Sequence, residues 1–144
     1  MPTNQKNATY DALLLLKDSA AVTATGVAQV AGANKILDLG AARLDYRIIN
    51  DVSAIKTSAT DESYRLRVQL SNSSTFASGV VTHSALELGA PSATGNTIAT
   101  PVGRYEKQGS NEVNGTIYRY MRVAFVVAGT APTITNTSYL VKES

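Results

Sequence analysis

The stretch Tyr118 to Gly129, YRYMRVAFVVAG, can hardly be anything but an extended strand. Met121, Val123, Phe125 and Val127 recur with the period of two that a strand imposes, so they share one face and predict a core beneath it. Tyr118, Tyr120 and Arg122 occupy the opposite face, followed by Ala124, Val126 and Ala128. That order predicts a strand exposed at its start and covered at its end. Gly129, Thr130, Ala131 and Pro132 terminate it, because proline cannot donate to a ladder and glycine weakens a strand interior. A run this apolar needs neighbours on both edges and is expected at the centre of a sheet.

The remaining chain repeats the strand signal. Tyr64 to Leu70, YRLRVQL, alternates cleanly, with Tyr64, Leu66, Val68 and Leu70 opposing Arg65, Arg67 and Gln69. Further strands are predicted at Tyr10–Lys17, whose short apolar run would also fit a helical turn, at Ala20–Val30 with a bulge at Gly26, at Ile36–Leu39 within Lys35–Ala42 and ended by Gly40, at Leu44–Ile49, at Val80–Leu88 and at Thr133–Val141. A short edge strand is predicted at Ile98–Val102, demoted by Pro101. Asn50–Ser63 reads as a polar loop or an insertion carrying a short strand, GAPSATGN as a plain loop, and SNSSTFASG as a turn pinned to the core by Phe76. Asn114-Gly115 is a hairpin-type turn feeding the Tyr118 strand. About eight short strands and no amphipathic helix predict an all-β fold: one antiparallel β-sandwich, jelly-roll-like, over residues 11–144, preceded by a polar arm over 1–10.

Length suits one such core, since a chain of 144 residues buries roughly 68–70% of its unfolded surface. Thirteen Lys and Arg against eleven Asp and Glu leave a charge of +2 with no basic tail or patch, so nucleic acid is not an expected partner. Only 17% of residues are charged, which suits faces covered in an assembly. Leu13–Leu16 is too short for a membrane span or signal, and no membrane association is expected. Without that context the sequons at Asn7, Asn72, Asn114 and Asn136 read as turn chemistry.

Chemistry is sparse. No cysteine is present, which removes disulfides and thiolate sites, and His83 is the single histidine, which removes a histidine metal cluster. Ser84 adjoins His83, but neighbours on a strand point to opposite faces and do not form a catalytic pair. Asp61-Glu62 reads as a solvated acidic pair in a loop, and no phosphate-cradling glycine motif occurs. No enzyme activity, cofactor or metal is expected. What remains is surface: Tyr118, Tyr120 and Arg122, with Arg65 and Arg67, are residue types that anchor protein interfaces, and Lys6 and Tyr10 of the arm join them as candidate contacts.

Five segments in order, DSAAVTATG (18–26), ILDLGAAR (36–43), LRVQLSNSSTF (66–76), RYMRVAFVVAGTA (119–131) and a closing YLV, resemble the capsid cement, or decoration, proteins of tailed bacteriophages, of the Bordetella-phage type. The resemblance covers most of Leu16 to Val141. It implies a structural virion protein on the capsid exterior, made in the host bacterial cytoplasm, that bridges neighbouring major capsid proteins and stabilises the head. It also implies a homo-oligomer, dimer or trimer. The alternative expectation, from the fold class and exposed tyrosines, is a carbohydrate- or receptor-binding sandwich of a phage tail or host-attachment structure.

Overall fold

The computed structural model describes residues 14–143. The first third of the chain forms short strands: β1 (Leu15–Lys17), β2 (Ala21–Val22), β3 (Gly26–Val27), β4 (Gln29–Val30), β5 (Ala33–Asn34) and β6 (Leu37–Asp38). The long strands follow: β7 (Asp45–Ile55), β8 (Ser63–Ser71) and β9 (Val81–Gly89), then the four-residue helix α1 (Pro91–Thr94). The remainder is β10 (Gly103–Ser110), β11 (Glu112–Val113), β12 (Thr116–Ile117), β13 (Tyr120–Ala128) and β14 (Ile134–Glu143).

Two five-stranded antiparallel sheets pack face to face as a β-sandwich. Sheet I has the order β1-β14-β7-β10, with β2 beside β1 on the flank of β14; sheet II has the order β3-β13-β8-β9, with β6 beside β3 on the flank of β13. The predicted central strand is therefore internal to sheet II. Its core face is buried at Met121, Val123 and Phe125, and Val68 of β8 stands directly across from Val123. Tyr64, Leu66, Val68 and Leu70 are all buried, as their alternation predicts. Sheet I meets them with Leu16, Tyr46, Ile48, Val52, Ile134 and Leu140. Each such side chain removed from water contributes about 1.5–3 kcal/mol.

Several expectations are corrected. Ala20–Val30 is not one strand but three fragments, because a run of Ala, Thr and Gly has little side chain to hold one continuous pairing. Asn50–Ile55 continues β7 rather than opening a loop, since it pairs with β14 on one side and, as far as Val52, with β10 on the other. Ile98–Val102 is not a strand, GAPSATGN contains α1, and the covered end of the Tyr118 strand is in fact open, with Ala128 exposed. Beside the main core a second apolar cluster, Leu15, Ile49 and Tyr139, lies on the other face of sheet I, with Val30 and Val141 packed on it. Asn136 is not turn chemistry: it is buried in β14, where Nδ2 donates to Ser138 Oγ at 3.1 Å.

Glu62 is likewise not solvated; it is fully buried. Its segment threads between two glycines at left-handed φ, Gly89 (137°) at the end of β9 and Gly129 (115°) after β13. A Cβ on Gly129 would meet Asp61 O and Glu62 Cα at 2.7 Å, and one on Gly89 would overlap Glu62 O. Either glycine is thus required by both dihedral and space. Around this clamp Tyr64 Oη donates to Lys56 O at 2.7 Å and accepts from Thr133 N at 2.9 Å, Lys56 Nζ donates to Thr130 O at 2.9 Å, and Asp61 accepts from Thr130 N and Oγ1. The β7–β8 and β13–β14 connections are knotted together at this end of the sandwich.

Candidate interaction surface

The outer face of sheet II is the surface that the candidate residues build. Register sets its rows: Tyr120 opposite Ser71, Arg122 opposite Gln69, Ala124 opposite Arg67 and Val126 opposite Arg65, which in turn faces Glu87 of β9. Tyr120, Arg122, Arg65 and Arg67 are thereby brought together on one face. Tyr118 is not with them: it precedes β13 and packs against the main core, its N–H donating to Asn111 O at 2.8 Å. Lys6 and Tyr10 lie outside the described residues.

Each arginine is held differently. Arg122 Nε donates to Gln69 Oε1 at 2.8 Å and its guanidinium lies 4.4 Å from the Phe76 ring centre, where burial lowers its pKa from the ordinary value. That stacking accounts for Phe76, a buried aromatic residue at φ 57°, a conformation bulky side chains rarely adopt. Arg65 is paired with Glu87, whereas Arg67 forms no ion pair among the described residues. A recess of about 180 Å³ beside Arg65, Glu87 and Val126 is walled by Thr94 of α1.

The pattern of residues did not point to Arg119 and Asp38. Arg119 Nε and Nη2 both donate to the Asp38 carboxylate at 2.9 Å, and the guanidinium lies 5.5 Å from the Tyr120 ring centre. Strict alternation assigns Arg119 to the face of Met121, but β13 begins only at Tyr120, which frees it to turn outward. No local signal joins residues 38 and 119; the contact exists because β6 docks on β13. Four arginines against Asp38 and Glu87 leave the face net positive.

The Arg119 fork, helped by the Gly40 N–H, holds the Asp38 carboxyl down at about 2. A carboxylate depressed in the folded state contributes stability above its ordinary pKa and loses it as pH falls through the folded value. The Asp38 carboxyl carbon, followed by NMR, is expected to titrate near 2 in the wild type and to shift upward in Arg119→Ala, where the Gly40 N–H still holds it below the ordinary aspartate value; an unchanged midpoint would mean the fork is not the cause.

His83 is the extra residue of a β-bulge, since Val68 pairs with Ser84 and Gln69 with Thr82. The bulge sets its ring 6.2 Å, edge on, from that of Tyr46 and against Gly109, and it pairs with no carboxylate among the described residues. The described residues contain no group of three or more metal-ligating side chains and no helix long and apolar enough to cross a membrane. No family model matches the chain, and no curated protein matches it.

Proposed function

We propose that this chain is a structural virion protein that docks the outer face of sheet II on the exterior of a tailed-phage capsid and bridges neighbouring major capsid proteins. The observation that carries the proposal is the gathering of Tyr120, Arg122, Arg65 and Arg67, joined by Arg119, on one side of a sheet whose other side buries Tyr64, Leu66, Val68, Leu70, Met121, Val123 and Phe125 in the core. Tyrosine and arginine are the residue types that anchor protein interfaces, and here Gln69 and Phe76 hold Arg122, Glu87 holds Arg65, and Asp38 holds Arg119 over the Tyr120 ring, which limits the entropy lost on docking. The resemblance to decoration proteins supplies the identity of the partner. A ligand that binds only the assembled lattice stabilises it by mass action, and many copies add their contributions.

Purified protein mixed with capsid shells lacking it is expected to co-sediment with them and to raise their temperature of rupture. Absence of both effects overturns the proposal. Tyr120→Ala is expected to keep the wild-type unfolding midpoint within a few degrees while weakening shell binding about tenfold or more, the scale of a central interface tyrosine. Loss of folding in that variant would show that Tyr120 serves the sandwich and not a partner.

A further inference from the structure

The two outer faces of the sandwich are neutralised to different degrees. On sheet I each arginine of the described strands has a carboxylate. Arg47 Nε donates to Glu143 Oε1 at 2.8 Å, with Glu106 3.4 Å from its Nη1, and Arg104 forks onto Asp51 at 2.7 and 3.0 Å. On sheet II Arg65 has Glu87 and Arg119 has Asp38, but Arg67 and Arg122 have no carboxylate among the described residues.

Register explains the shortfall. The residues directly across from Arg67 are Ala124 on β13 and Ala85 on β9, and the one across from Arg122 is Gln69. An alanine side chain accepts no hydrogen bond, and Gln69 accepts from Arg122 without neutralising it. Because Arg122 faces Gln69, it lies diagonal to Arg67, about 7–8 Å away along the sheet. Two like charges at that spacing repel in the middle of the face, and both side chains are half-buried, where water screens them less.

We propose that the partner of this face presents an acidic side chain, an aspartate or glutamate, which seats over the row Ala124, Arg67, Ala85 and takes the Arg67 guanidinium as a fork. The inference rests on the docking of sheet II proposed above and names the chemistry that the docked surface must carry. Guanidinium and carboxylate match as a planar pair with two parallel hydrogen bonds, and the short alanines on either side leave room for the incoming chain. The same carboxylate offsets the repulsion between Arg67 and Arg122. On the outer face of sheet I, Asp51, Glu106 and Glu143 outnumber Arg47 and Arg104 and repel such a partner, so charge also selects which face docks.

The test is a titration of capsid shells with the full chain. Wild-type affinity is expected to fall about tenfold between ~0.05 and ~0.5 M salt. Arg67→Gln binds about tenfold more weakly at low salt and with a shallower salt dependence, Arg67→Lys falls between it and wild type, and Arg67→Glu loses about a hundredfold or more. Lys142→Glu, which makes the same change in net charge at an exposed position of sheet I, stays within about twofold of wild type. Intact shells whose surface carboxylates have been converted to neutral amides bind wild type and Arg67→Gln alike. Unfolding midpoints stay close to wild type, because the Arg67 side chain has no ion pair among the described residues to lose. Failure of the wild type to bind any shell overturns the docking and this inference with it. Undiminished binding by Arg67→Glu, undiminished binding to the amidated shells, or an equal loss in Lys142→Glu overturns this inference alone.

Discussion

Val123→Asp leaves no folded sandwich. Val123 is 1% exposed at the middle of β13, flanked on its face by Met121 and Phe125 and opposed by Val68. An aspartate there places a carboxylate among hydrocarbon with no described donor in reach, and desolvating an unpaired charge costs far more than the valine contributes. The expected loss is about 4 kcal/mol or more, against a total stability of about 5–15 kcal/mol for a domain. Circular dichroism should show no cooperative thermal transition, and the protein should elute as aggregate or expanded chain. Val123→Ala is the control: it removes volume without adding charge, costs about 1–3 kcal/mol, and retains a transition at lower temperature. A cooperative Val123→Asp protein would mean that this face of β13 does not pack on sheet I.

Lys17→Met is expected to be the next most damaging single change, although it replaces a charge by an apolar chain of similar length. Lys17 is 1% exposed, and its ammonium donates to Asp18 O at 2.8 Å, Ala20 O at 2.6 Å and Asn136 O at 2.8 Å, 5.9 Å from the Phe125 ring centre. One cation thus ties β1, the turn after it and β14. Methionine leaves three carbonyls to find other donors. The adjoining cleft of about 440 Å³ admits water to take up part of the loss, so about 2–4 kcal/mol is expected. Denaturant titration measures it as a lower midpoint at unchanged slope.

The pH dependence separates this lysine from a merely apolar filler. Burial pulls its pKa from 10.5 down to about 8, opposed by the charge of Asp18. Between pH 8 and 10.5 the unfolded chain holds the proton that the folded chain has released, so this group adds stability as pH rises through that window. The wild type should gain relative to Lys17→Met there; parallel curves would place the ammonium in water. Above pH 10 the buried Tyr46, whose pKa is raised by burial, acts in the opposite sense, because the unfolded chain ionises first. The comparison is therefore cleanest between pH 8 and 10.

The alternation of Tyr64 to Leu70 and of Met121 to Phe125 was legible because a half-buried strand writes its two faces into adjacent residues. The Asn114-Gly115 turn was legible because its left-handed φ values, 50° and 83°, are ones that asparagine and glycine accept readily. Lys17 was not: at the end of LLLLK it reads as the first polar residue after an apolar run, and its acceptors include a carbonyl more than a hundred residues away. Glu62 was misread for a similar reason, since the glycines enclosing it lie in β9 and beyond β13. On the outer face, composition identified Tyr120 and the arginines of β8 and β13, while the Arg119–Asp38 fork and the Phe76 stack depend on how distant strands dock. Tyr118 was misplaced by assuming that alternation extends past the strand's first residue.

The placement of β14 decides when the protein can fold. It is the last strand described, yet it lies inside sheet I, hydrogen-bonded to β1 and β2 on one flank and β7 on the other. During synthesis, sheet II can assemble once β13 has emerged, but sheet I stays split, with β1 waiting for a partner more than a hundred residues downstream. Pairings of such long range close slowly, and the apolar faces of β7 and β8 stay uncovered meanwhile. A nascent chain stalled before Ile134 should therefore be protease-sensitive throughout, and release past Glu143 should confer resistance in a single step.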